Sequence, residues 1–138
     1  MNFVNKLNPV WVLRFTLGAM YLYSGFDLFR HPTAWVWAIP YWLRTFMGQV
    51  VEVTSYLKFQ GVIEIVFAFV LLAWFLKPSL VRRVAFFSAL EMAGILALAL
   101  LPFSESNFLI TFRDIGVLGA SLSLFLLLSK QNGNTEQI

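Results

Sequence analysis

The chain has 138 residues, of which 59% are hydrophobic and 12% charged, with a net charge of +3. Soluble domains carry about 25% charged residues, so this composition points to an integral membrane protein and away from a water-soluble one. With no cysteine, disulfides, thiolate metal sites and thiol chemistry are excluded; the single histidine, His31, argues against a His-based metal site and a Ser-His-Asp triad, and the scattered positive charge gives no basis for nucleic-acid binding.

Crossing a bilayer takes roughly 20 mostly apolar residues. The first stretch of that length is 9–29. Asn8 is suited to cap it and Pro9 to its first turn. It is too long for the core of a signal peptide, and it contains Arg14, so it is expected to be a retained span. Arg14 itself is expected to snorkel to the interface. The next stretch, from Arg30 to Tyr56, is rich in Trp and Tyr, rings that favour the headgroup level. Leu43, Phe46, Met47 and Val50 share one helical stripe, and Arg44, Gly48 and Glu52 share another. This predicts one or two short amphipathic helices on the membrane surface.

Further spans are predicted over 57–76, 80–101 and 108–128, joined by the short links "KPS" and "PFSESN", which make neighbours antiparallel. The tail 129–138 is polar and expected to fray. The fold expected is therefore all-α: a single four-helix transmembrane bundle with an interfacial helix in its first outer loop. Gly18, Gly25, Gly61, Gly94, Gly116 and Gly119 are expected to be notches that let helices approach. Lys6, Lys77, Arg82, Arg83 and Lys130 gather on one side, against Arg30, Arg44 and Lys58 on the other. The positive-inside rule then places both termini in the cytoplasm.

Within these spans lie ionisable residues. At about 1.5 Å of rise per residue, Arg113 and Asp114 sit roughly 8–9 Å below the outer face, and Glu64 about 10 Å below it. Asp27, with Tyr23 and Ser24 a turn deeper, lies only about 3 Å down, and Glu91 about 15 Å. Each charge at a lipid-facing helix centre costs about 2.5–3.5 kcal/mol, so the set is expected to face inward. Arg113, a planar fork of N–H donors, suits a carboxylate such as Glu64. Such a pair would either lock helix register or form part of a polar pocket.

Three segments resemble the DoxX-like family of small membrane proteins: "LRFTLGAMYLYSGFDLFRHP" its opening helix, "FQGVIEIVFAFVLL" its second and "FRDIGVLGASLSLFLL" its last. The resemblance implies a four-helix bundle in the bacterial inner membrane, associated with quinol oxidases or thiosulfate:quinone oxidoreductases. It implies polar positions at Glu64, Arg113 and Asp114. One departure is Asp27, where the family's first helix often carries Lys.

Three functions fit these features, and whether the chain is an enzyme stays open. The first is a redox-associated subunit that binds a quinone-like headgroup. Arg113 would donate to a carbonyl oxygen, Glu64 or Asp114 would exchange a proton, and Tyr23 and Phe26 would pack the ring. Electrons would come from a partner, because the chain offers no thiolate and one histidine cannot ligate a haem on both sides. The second is a non-catalytic scaffold that docks a membrane-complex partner on its aromatic loop. The third is a small proton-linked carrier, which would need to form a homo-oligomer because one four-helix unit lacks internal repeats.

Overall fold

The computed structural model describes residues 8–100 and 105–135, with side chains described for 8–98 and 114–130. Every element among them is helical. The order is α1 (Pro9–Arg30), a 3-10 segment (Pro32–Ala38), α2 (Tyr41–Met47), α3 (Val53–Leu72), α4 (Pro78–Leu100) and α5 (Glu105–Thr135). Among the described residues one helix, Val53–Leu72, is long and apolar enough to cross a membrane.

Helix α1 starts where the sequence places it. The Asn8 side chain accepts from the Val10 N–H at 3.0 Å, and Pro9 takes a position whose N–H would have no partner. Besides Gly18, its buried residues, Val10, Arg14, Leu17, Tyr21, Gly25 and Leu28, recur every three or four positions. That stripe lies against a matching one on α3: Leu57, Gly61, Glu64, Ala68 and Leu71. The closest approach is glycine on glycine. A Cβ added to Gly25 would stand 2.8 Å from the Gly61 carbonyl oxygen, and one added to Gly61 would stand 2.7 Å from that of Gly25.

Helices α4 and α5 form a second pair, packed along their length. The two pairs touch more sparsely, α1 with α5 and α3 with α4. Their common core fills one half of the bundle, with Val10, Leu17, Leu71, Val81, Leu124 and Leu128 at its centre. Three buried hydroxyls bind the pairs together there. Tyr21 Oη lies 2.6 Å from Ser88 Oγ, which lies 2.7 Å from Ser121 Oγ, so α1, α4 and α5 share one hydrogen-bonded chain. At the other end a smaller core forms under the loop. Leu28, Ile39 and Leu57 pack there with Trp35, Leu43 and Met47.

Several expectations are corrected. The second span is displaced by a turn, running 53–72 where 57–76 was expected. It stops early because Ala73 is extended (φ −72°, ψ 109°) and Arg14 takes over its terminal carbonyls. Arg14 does not snorkel. It is 6% exposed, and its guanidinium donates to Leu71 O at 2.8 Å and Ala73 O at 2.6 Å, over the Trp11 ring. Orphan carbonyls at a helix C-terminus carry partial negative charge, so a buried cation is well placed there. Arg14→Leu would strip two carbonyls of a charged donor, and it is expected to lower unfolding free energy by about 2–4 kcal/mol in a detergent melt. Arg14→Lys is expected to recover part of that, because an ammonium lacks the fork that spans both oxygens.

The surface helix is shorter than its stripes imply. α2 ends at Met47, and 48–51 form turns with Val50 N bonded to Met47 O at 2.9 Å. Leu43 and Met47 pack inward while Phe46 and Val50 are exposed. At the start of α3, hydroxyls of Thr54 and then Ser55 donate to the Glu52 carboxylate and hold it below the usual carboxylate range. α5 continues as helix to Thr135, through most of the tail expected to fray. Gly94, Gly116 and Gly119 are not notches, for a Cβ at any of them would meet nothing within 4 Å.

Candidate functional site

Between the two helix pairs, in the half away from the main core, lies a cavity of about 850 Å³. All four long helices line it, and the loop roofs it with Trp35, Trp37, Ile39, Leu43 and Met47. Most of the wall is apolar. The polar atoms come from few residues: Ser24 on α1, Gln60 and Glu64 on α3, Glu91 on α4 and Asp114 on α5, with the Tyr21, Tyr23 and Tyr56 hydroxyls near them. Apolar walls with a few convergent polar groups are the usual makeup of a small-molecule site.

Glu64 is 5% exposed. The α1–α3 glycine contact brings it there, because Gly61 lies one turn earlier on the same face and lets the backbones meet. Ser24 Oγ donates to Glu64 Oε2 across that contact. Across the gap between the pairs, Gln60 Nε2 on α3 donates to Glu91 Oε1 on α4, while Glu91 Oε2 is buried with no hydrogen-bond partner among the described residues. A buried acceptor left without a donor is costly, so this oxygen is a natural contact for a ligand N–H or O–H.

Of the residues singled out from sequence, Glu64, Glu91, Asp114 and Tyr23 all line this cavity. Tyr23 stands at its mouth, 76% exposed. Asp27 does not join them. It accepts from Trp35 Nε1 at 2.8 Å and lies 3.0 Å from His31 Nδ1, so it fastens the roof to the end of α1. Arg113 precedes Asp114 on α5, and its side chain, with the expected Arg113–Glu64 pair, lies outside the described residues. Phe26 is exposed and not part of the wall.

Sequence reasoning missed Gln60 as a site residue. Its signal is positional: Gln60 precedes Glu64 by four residues, on the same face of the helix. It also missed the roof, because the inward residues Trp35, Ile39, Leu43 and Met47 come from two short helices and the link between them. Among the described residues no cluster of acids and histidine could hold a metal ion.

Comparison with family models, curated proteins and solved structures finds no match to this chain.

Proposed function

We propose that this is a polytopic protein of the DoxX-like kind, with α1, α3, α4 and α5 spanning the bacterial inner membrane and both termini in the cytoplasm. It binds a quinone-like amphipathic molecule in its outer half, as a redox-associated subunit. The observation that carries the binding reading is the cavity itself: a mostly apolar space of about 850 Å³ whose polar atoms converge from all four long helices. The ring would pack against Phe67 and Phe87, and its oxygens would meet Glu91 Oε2 and the Glu64 and Asp114 carboxyls. These acids would exchange the protons that accompany reduction or oxidation, with electrons supplied by a partner redox subunit.

The membrane reading is supported by the outer surface. Phe15, Phe59, Phe69, Phe86, Leu122 and Leu126 are all exposed, and they are spread over all four long helices. Soluble monomers rarely leave so much large apolar surface in water, whereas acyl chains cover it without cost.

The test is extraction. Protein purified from its native membrane in mild detergent, then extracted into organic solvent, should release a quinone in stoichiometric amount by mass spectrometry. It should also rebind a short-chain benzoquinol with quenching of tryptophan fluorescence. Release of phospholipid alone, with no quenching on titration, would rule the reading out.

A second reading has an observation of its own. Trp37, Tyr41, Trp42 and Phe46 are exposed on the roof. Such rings are the usual anchors of a protein interface, so a scaffold would dock its partner there. Trp42→Ala would then abolish co-purification of a partner while leaving quinol binding unchanged.

A further inference from the structure

Several α4 residues of the cavity wall are themselves exposed: Phe87, Leu90, Gly94 and Leu98. Phe87 is 53% and Leu90 59% exposed. Wall residues this exposed mark where the cavity is least covered. Across from them on α3, Tyr56, Gln60, Ile63 and Phe67 line the same cavity at one-turn intervals. Since α3 and α4 touch sparsely, the seam between them is a slot in the side of the bundle. One described side-chain hydrogen bond crosses it, from Gln60 Nε2 to Glu91 Oε1. The end of the cavity, by contrast, is closed by the roof, where Ile39 is buried on Leu28 and Leu57 with Leu43 and Met47 packed around them.

We infer that the cavity is loaded sideways, from the bilayer, through the α3–α4 seam, and that Gln60 and Glu91 form its threshold. The occupant is a membrane-dissolved amphiphile with a hydrogen-bond donor in its head. This rests on the membrane reading above but not on the ligand being a quinone. A molecule dissolved among acyl chains is already at the depth of the slot and needs no water-filled path. Its tail stays in lipid while its head turns past Leu90 and Gly94. The donor then meets Glu91 Oε2, the buried oxygen that has no partner among the described residues. Such a head satisfies an acceptor that otherwise stays unpaired, whereas a head that only accepts leaves it so.

The chain has no cysteine, so Ile63→Cys with Leu90→Cys places its only thiols on either side of the slot and leaves Gln60 and Glu91 intact. Trp11, Trp37, Trp42 and Trp74 are first replaced by Phe, leaving Trp35 in the cavity wall as the reporter. The protein is placed in phosphatidylcholine vesicles, and a 4-alkylphenol brominated on its chain is added as a quencher. The parent protein should be quenched by the phenol and not by the matching methyl ether, which lacks the donor. Oxidation of the double-cysteine protein should slow quenching at least about tenfold, equivalent to about 1.4 kcal/mol of barrier, and reduction should restore it. Gly94→Phe, which leaves both threshold residues in place and enters open space, should slow it too.

Equal loading rates in the oxidised and reduced forms and in Gly94→Phe would overturn the side route while leaving the pocket standing. Equal quenching by phenol and ether would overturn the donor requirement. A parent protein quenched by neither would remove the pocket and the route together.

Discussion

Gly61→Ala is expected to lower the unfolding free energy of the bundle by about 2–3 kcal/mol, and Gly25→Ala by a similar amount, in a detergent melt. Alanine is the better helix former by about 1 kcal/mol, so propensity alone predicts the opposite sign. The reason is what the new methyl meets. At Gly61 it would press on the Gly25 carbonyl oxygen at 2.7 Å and the Phe29 backbone nitrogen at 2.9 Å, and neither can rotate away. The helices would have to separate. That would also draw Ser24 from Glu64, since their hydrogen bond crosses the same contact. Gly94→Ala is the control. Its Cβ would meet nothing within 4 Å, so it should be neutral or stabilising by up to about 1 kcal/mol. Equal loss of stability at Gly61 and Gly94 would show that glycine matters here for some reason other than close approach.

Glu64→Gln is expected to weaken binding of a benzoquinol by roughly 10–100-fold, the equivalent of one charged hydrogen bond at about 1.5–3 kcal/mol. The amide keeps the shape of the side chain and can still accept from Ser24, so the melting temperature should hold. Glu64→Leu removes the acceptor as well and leaves the Ser24 hydroxyl without its partner. It should lose both binding and stability. If Glu64→Gln instead destabilises the fold and leaves binding intact, Glu64 serves helix register and not the ligand. Glu52→Gln, in an exposed turn outside the cavity, should change neither.

The positions of the helices were legible because length, apolar content and end signals are local. Asn8-Pro9 marks the start of α1, and the strong run from Phe59 to Leu72 could only be helix in a chain so short of turn residues. The role of Arg14 was not legible. A cation near a helix end normally reaches for water, and only the nearby end of α3, with its free carbonyls, makes burial the better choice. Asp27 misled for the same reason. It lies at the outer end of α1, just above the other acids, but Trp35 and His31, from the segment that follows α1, claim its oxygens. Glycine spacing misled in turn. Gly25 and Gly61 meet each other, while Gly94 opens onto the cavity and Gly116 and Gly119 face outward, although all five recur at helical intervals.

By itself the sequence determined that the chain is helical and roughly where each long helix runs, and it singled out Glu64, Glu91, Asp114 and Asp27 as candidate carboxyls. Only the tertiary structure decided that α1 pairs with α3 and α4 with α5, that a cavity remains between the pairs, and that Gln60 reaches across it. The division has a physical cause. In a helix apolar on nearly every face, hydropathy does not distinguish the side that meets another helix from the side that meets solvent or lipid. Partner choice then falls to shape, to the fit of Gly25 on Gly61 and of the Arg14 fork on two carbonyls, and those fits exist only between segments far apart in the chain.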